Sequence, residues 1–416
     1  MRHTSRPAWC LILGAIVLAV VAAPGAAALG RPPAGTHQGT ETATTEPPVT
    51  ETATSEPNPS DTATAAPLPT DTAMPLAPTA TPGPIYLPWV DRLGEAAKQA
   101  PVDQVAGNIL RLALGPRQIY VLEDSPPRLT VLTTNTATKR LDRGGSMPLD
   151  APGLDPRTVR LAADDIVDFA YLLYFNALTV VEAVNPPQPR KLLAAPDCDA
   201  LLTTGWTGIL GCDGLRVVDL ESPGSAAELF YLSRPGRTQA LTQDDGLLAA
   251  AFREPVPASR PTTLTLYHTG YRQKPRAAGQ LADIGNTVDM RMVGRLVYQL
   301  VDEDGRRGLQ LIDVSGGESN RQPRILARLD MDGLPRRLAF DSSTWRLYVL
   351  EEGWFDRRDR QQHGQTGVRV YSLKDPRQPR LWRFLPLDQP AADIAAADGL
   401  LYVAGGTAGL GVYRVE

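Results

Sequence analysis

Three cysteines and four histidines are all that 416 residues offer for soft metal ligation or imidazole chemistry, too few for a zinc cluster or a haem site. Two of those histidines, His3 and His37, fall near the N-terminus, leaving His268 and His363 far apart in sequence. A basic excess is also missing: 42 Lys+Arg against 46 Asp+Glu give a net charge of −4, which disfavours a nucleic-acid binder. No GxSxG elbow, phosphate loop or CxxC pair occurs. No cofactor is expected, and an enzyme is the less favoured expectation. What the chain has in quantity is 38 Pro and 36 Gly, the composition of turn-rich, all-β structure.

Only one long apolar run exists. Arg2 and Arg6 precede Leu11 to Ala23, which is closed by Pro24-Gly25 and three alanines. A positive start, a short apolar middle and a small-residue end make residues 1–28 a secretory signal peptide. The run is shorter than the roughly 20 residues that span a bilayer, so cleavage is expected in preference to a retained N-terminal anchor. Cys10 precedes the apolar run, whereas a lipid-attachment cysteine would follow it. The expected location is extracellular or the cell surface, with no membrane span after cleavage.

Residues 29–84 read as a disordered tether. From Arg31 to Pro84 there are 14 Thr and 12 Pro, no aromatic residue and a single Lys or Arg, so nothing there can form a core. Thr40 to Thr44, Thr50 to Thr54, Ser60 to Thr64 and Thr70 to Ala73 repeat every ten residues. Such an extended segment serves as a stalk, with or without O-linked sugars. Hydrophobicity returns at Ile85 to Val90, and a folded domain is expected over residues 85–416.

That domain repeats. Leu129-Thr130-Val131, Leu178-Thr179-Val180, Leu215-Arg216-Val217, Leu264-Thr265-Leu266, Leu309-Gln310-Leu311, Val368-Arg369-Val370 and Leu410-Gly411-Val412 lie a mean of about 47 residues apart, near the four-stranded propeller-blade period. Earlier strand-like runs, such as Arg346-Leu347-Tyr348-Val349, make these the third strand of each blade. Pro189-Arg190, Pro275-Arg276 and Pro379-Arg380 begin 11 residues after the marker, and Pro323-Arg324 begins 14 after it. A Pro there opens an outer strand, where a missing amide is tolerated. The seventh unit ends with its third strand, so an N-terminal strand is expected to close the ring, with Tyr86 to Val90 as the donor. The expectation is an all-β, seven-bladed β-propeller closed by an N-terminal strand.

Leu215-Arg216-Val217-Val218-Asp219, Leu309-Gln310-Leu311-Ile312-Asp313, the turn Asp375-Pro376-Arg377-Gln378-Pro379 and Leu401-Tyr402-Val403-Ala404 resemble the LVIVD repeat of secreted bacterial and archaeal propellers. The resemblance spans about Asn108 to Glu416. It implies fold and extracellular placement, and it transfers no catalytic residues.

Cys198 and Cys212 lie at mirror positions about the turn Thr204-Gly205-Trp206-Thr207-Gly208 and are expected to be cross-strand neighbours. Export permits a disulfide between them; two buried free thiols are the alternative.

Candidates for chemistry are thin. Asp302 and Asp304, in Asp302-Glu303-Asp304-Gly305, are a weak calcium candidate that lacks alternating ligands, and a solvated turn is the plainer reading. Asp164-Asp165 and Glu351-Glu352 read as exposed turn pairs, or as the acid and base of a glycosidase. The connection from second to third strand is read as long in three consecutive units: Arg253 to Thr263, Asp302 to Gly308 and Glu351 to Gly367. These would lie side by side on one face. They carry Arg306, Arg307, Trp354, Phe355, Arg357, Arg358 and Arg360, side chains of the type that anchor interfaces; the alternative is an insertion whose aromatics pack back over the blade edge. The expected function is a monomeric, non-catalytic binding or scaffolding module for a cell-surface protein or glycan. An extracellular polysaccharide hydrolase or lyase, with carboxylates at the central channel, is the alternative.

Overall fold

The computed structural model describes residues 99–415, except 136–139, 150–154, 156–157, 165, 175, 184–186, 222–225, 255–261, 304–305, 319–321 and 357–359. The stretches read as signal peptide and tether, and Tyr86 to Val90, lie outside the described residues.

Among the described residues the chain is almost wholly β-strand, with one 3-10 turn at Ser315–Glu318. After β1 (Asp103–Val105), blade 1 is β2 (Ile109–Leu114), β3 (Gln118–Glu123), β4 (Arg128–Thr134) and β5 (Leu141–Pro148). Blade 2 is β6 (Arg160–Ala163), β7 (Phe169–Tyr174), β8 (Ala177–Glu182) and β9 (Gln188–Ala194). Blade 3 is β10 (Ala200–Thr204), β11 (Thr207–Cys212), β12 (Gly214–Asp219) and β13 (Ala227–Ser233); blade 4 is β14 (Arg237–Asp244), β15 (Leu247–Arg253), β16 (Thr262–His268) and β17 (Arg276–Leu281). Blade 5 is β18 (Thr287–Val293), β19 (Leu296–Glu303), β20 (Arg306–Asp313) and β21 (Arg324–Asp330). Blade 6 is β22 (Leu334–Asp341), β23 (Arg346–Glu352), β26 (Gly367–Ser372) and β27 (Arg380–Pro386), with a side hairpin of β24 (Trp354–Asp356) and β25 (Gln361–His363). Blade 7 is β28 (Asp393–Ala397), β29 (Leu400–Ala404), β30 (Leu410–Arg414) and, as its outer strand, β1.

All seven repeat markers fall on third strands, and each Pro-Arg stands at the start of an outer strand. The closing strand is Asp103–Val105 rather than Tyr86 to Val90: Asp103 pairs with Val412 and Val105 with Leu410. Val105 is buried with Leu410, Ile109 and Val121, so one cluster joins blade 7 to blade 1. A stretch as short and polar as Asp-Gln-Val shows no strand pattern in the sequence, and the more apolar Tyr86 to Val90 drew the assignment instead.

Second strands read as continuous apolar runs because neighbouring blades cover both of their faces. Ile119 to Leu122 in β3 and Leu347 to Leu350 in β23 are all buried. A tyrosine recurs at the third position, and Tyr120, Tyr171, Tyr298 and Tyr348 have no exposed surface. Burial raises the pKa of each above the usual phenol value.

A disulfide joins Cys198 to Cys212. The ladder pairs Ala200 with Gly211, so the two cysteines are offset by one residue and are not directly opposed. The cause is the turn, which is the two-residue loop Gly205-Trp206 with Thr204 paired to Thr207. Gly205 has φ +51°, as the first position of a type II′ hairpin requires.

Candidate functional site

In a meandering blade the first-to-second and third-to-fourth connections leave at one end of the strands, and the second-to-third connections leave at the other. The insertion of blade 6 is of the latter kind, and it folds into the β24–β25 hairpin. Its base approaches the crossover into the blade closely: a Cβ on Gly364, which has φ +65°, would lie 2.4 Å from Gly333 Cα. Only glycine fits there.

Trp354 is half-buried. Its ring stacks on His363 at 5.0 Å, its Nε1 donates to the Asp332 carbonyl at 3.1 Å, and the Arg307 guanidinium lies 4.7 Å from its centroid. Arg307 is itself held by Asp302 at 2.9 Å. The hairpin of blade 6 is thereby fixed against blade 5, and Trp354 packs back over the blade edge. Phe355, next in sequence and on the other face of the hairpin, is 57% exposed. Arg306 and Arg360 are exposed, Arg306 pairing with Asp283 at 3.1 Å. Arg357 and Arg358 lie outside the described residues.

Three expectations about these connections change. In blade 5 the strands run on through most of the expected connection, since Asp302 pairs with Arg307 and Glu303 with Arg306 on the ladder. Charged residues at a strand end read as loop in the sequence, yet the cross-strand pairs of opposite charge extend the hairpin. Asp302 therefore belongs to a strand, and its carboxylate faces Arg307; Asp304 lies outside the described residues. Glu351 and Glu352 are not a turn pair but consecutive residues of β23 on opposite faces. Glu352 meets Arg336 at 2.6 Å, and Glu351 is fully buried against Arg369 at 2.8 Å. Burial pushes the Glu351 carboxyl above its usual value although Arg369 opposes the shift. Asp164, also buried, caps a local turn by accepting from the Ile166 and Val167 amides, and Asp165 lies outside the described residues. His268, which ends β16, is exposed and remote from the β24–β25 hairpin.

The inner strands carry charges that sequence reasoning missed. Asp289, Arg337, Asp393, Arg111 and Arg160 follow one another on blades 5, 6, 7, 1 and 2. Asp289 accepts from the Met290 amide and, across the blade boundary, from the Leu338 amide at 2.9 Å. Asp393 likewise accepts from Ile394 and from Leu112 of blade 1, with Arg337 at 3.4 Å. Arg160 donates to the carbonyl of Asp199 on blade 3. Desolvation, then the field of Arg337, brings Arg111 down to about 10. Both channel carboxylates thus staple one blade to the next. The available signal was a charged residue in or beside each first strand, often at a bulge such as Thr287/Asp289 or Pro335/Arg337. Among the described residues, no group of three or more His, Cys, Asp or Glu is placed to hold a metal ion.

No protein-family model and no curated protein matches the chain. Solved structures do. A chain of hydrazine synthase from Kuenenia stuttgartiensis is similar with a TM-score of 0.54 and 12% identity, over 76% of this chain and 97% of that one. A chain of the mitotic checkpoint complex gives 0.54 and 10%, over 79% and 98%. The WD40 β-propeller domain of Doa1 gives 0.51 and 11%, over 77% and 97%. At these identities the likeness is one of fold, a seven-bladed propeller. PorZ, a bacterial surface component of the type-IX secretion system of Porphyromonas gingivalis, aligns over 76% of this chain with a TM-score of 0.49, and the chain spans 38% of its length.

Proposed function

We propose that this protein is an exported propeller that works as a non-catalytic binding or scaffolding module, with a protein partner docking on the face that carries the β24–β25 hairpin. The observation behind this reading is the contrast within the hairpin. Trp354 is locked to blade 5 through Arg307 and Asp332, which fixes the backbone, while Phe355 stands 57% exposed on the other side. A rigid, exposed aromatic is a side chain that anchors interfaces at low entropic cost. Arg306 and Arg360 are exposed cations at the second-to-third connections of blades 5 and 6. Export is supported by the Cys198–Cys212 disulfide, a bond that persists in oxidising compartments, together with the leader read at residues 1–28.

Two of the carboxylates that a channel hydrolase would draw on are already engaged. Asp289 and Asp393, two of the carboxylates on the inner strands, each hold two backbone amides as inter-blade staples. The test is to replace residues 354–363 by Gly-Gly and to probe the exported protein against cell-surface extracts by pull-down. Retention of the melting transition with loss of captured protein is the expected result, and Phe355→Ser alone should reproduce the loss. Unchanged capture by both variants would remove the hairpin from the function.

A further inference from the structure

The opposite face carries a cavity between blades 3 and 4, with a volume of about 370 Å³. Its base includes Ile209 and Val217, both buried, and its walls include Trp206 and Tyr271. Thr204, Thr207, Gln243 and Gln273 supply hydroxyls and amides, and no lining residue is charged.

The walls are held in place before any ligand arrives. Trp206 occupies the two-residue turn of the disulfide-closed hairpin, and its carbonyl accepts from the Leu220 amide at 2.8 Å. Tyr271 belongs to the third-to-fourth connection of blade 4, and that connection is clamped onto blade 3. Arg272 donates to Asp219 at 2.6 Å and to Glu221 at 2.7 Å, and the Tyr271 hydroxyl donates to Glu221 at 2.8 Å. The charges near the rim are therefore engaged with one another, and the cavity itself is left neutral. Preorganised walls reduce the ordering cost of binding.

One group in the wall is unsatisfied. Gln243 Oε1 is buried and has no hydrogen-bond partner. A buried acceptor without a donor carries an unmet desolvation penalty. The terminal torsion of a Gln side chain is broad, so a small rotation brings this oxygen to a donor placed in the cavity.

We propose that this cavity binds a single uncharged sugar ring. A pyranose presents apolar C–H faces, which suit the aromatic walls, and hydroxyl edges, which suit the amides and threonines. The absence of lining charge selects against uronic acids and amino sugars, whose ionised groups would be desolvated without a partner. The size is at the lower end for small-ligand sites, which suits a single sugar ring. This site is on the face opposite the hairpin and is independent of the protein-docking reading.

The test uses the full exported chain. Saturation-transfer NMR and Trp fluorescence would be followed with methyl glycosides of glucose, galactose, mannose, xylose and N-acetylglucosamine, up to roughly 10 mM, the weak end of specific binding. Glucuronic acid and glucosamine serve as charged counterparts. At least one neutral glycoside should bind, and at least about tenfold more tightly than its charged counterpart. Gln243→Met, which keeps the volume and removes the acceptor, should weaken binding about tenfold or more with the melting temperature unchanged or raised. Trp206→Ala gives a second, half-buried site of change and should abolish the fluorescence response. No saturation transfer from any neutral glycoside would overturn the proposal. So would undiminished binding by both variants, equal binding of the charged sugars, or occupation by indole in preference to every sugar.

Discussion

Arg272 Nη2 lies 2.6 Å from Asp219 Oδ2 and ties the third-to-fourth connection of blade 4 to the end of the third strand of blade 3. The same relation recurs two blades on, where Arg377 of blade 6 lies 3.3 Å from Asp313 of blade 5. Each aspartate also accepts the amide two residues ahead, Glu221 for Asp219 and Ser315 for Asp313, both at 3.0 Å. One recurring carboxylate therefore turns the chain off the third strand and receives an arginine from the following blade. This explains why Asp ends those strands in the repeat without any appeal to chemistry.

The two positions differ in burial, and that sets the first prediction. Asp313 is 6% exposed at its side chain and gathers Ser315, Arg324 and Arg377, whereas Arg272 is 52% exposed. Asp313→Ala should cost about 1 kcal/mol, since the Ser315 hydrogen bonds are lost while Arg324 and Arg377, 70% and 55% exposed, turn to water. Arg272→Gln should change global stability little and instead raise amide exchange in residues 269–275. Denaturant midpoints and hydrogen exchange, measured on both variants, separate the two outcomes.

Acid should expose the same carboxylates. Burial alone would raise Asp313 and Asp341. Hydrogen bonds from Ser315 and the charges of Arg377 and Arg324 at Asp313, and hydrogen bonds from Ser343, Thr344 and Gly399 at Asp341, outweigh it and hold both below the ordinary carboxylate value. Because the folded value is depressed, the stabilisation is full above the ordinary carboxylate value and is lost as pH falls through the folded one. Denaturant midpoints should drop between about pH 5 and pH 2, and Asp313→Asn with Asp341→Asn should flatten that fall. An acid limb of unchanged steepness in the double variant would place the sensitivity elsewhere.

The buried pair of Glu351 and Arg369 makes a sharper prediction. Glu351 is fully buried and Arg369 is 9% exposed, so removing one partner strands the other charge. Arg369→Ala should destabilise by about 3–5 kcal/mol, while replacing both with apolar residues of similar volume should be neutral or stabilising. Glu351→Gln, which keeps the shape and removes the charge, should fall between. Chemical denaturation of the four proteins tests the order.

Much of the architecture was legible because a propeller repeats its strongest signal. Third strands such as Leu309-Gln310-Leu311-Ile312-Asp313 keep their apolar spacing in every unit, and Pro379-Arg380 marks an outer edge by the missing amide. The sites were far less legible. Trp206 and Tyr271 are 65 residues apart and meet only because adjacent blades bring turn and connection together. Glu351 and Glu352 look alike in sequence, yet strand alternation buries one and leaves the other half-buried against Arg336. Trp354 and Phe355 are adjacent aromatics in the sequence, and the same alternation locks one to blade 5 and presents the other to solvent.

Ring closure supplies the last prediction. β1 contributes only three residues, but it covers the exposed edge of β30 and buries Val105 against Leu410 and Ile109. Unpaired edges of this kind invite association with other chains. Two truncations distinguish this latch from the earlier candidate at Tyr86 to Val90. A chain beginning at residue 98 lacks that segment and keeps β1, so it should melt like the parent and remain monodisperse. A chain beginning at residue 107 loses the Val105 burial and the pairing. The lost apolar burial and ladder bonds together amount to about 3–5 kcal/mol, or roughly a 5–10 °C lower melting temperature. It should also associate through the bared β30 edge, which size-exclusion chromatography would show as larger species. If instead the chain from 98 were the one to destabilise, closure would depend on residues before β1.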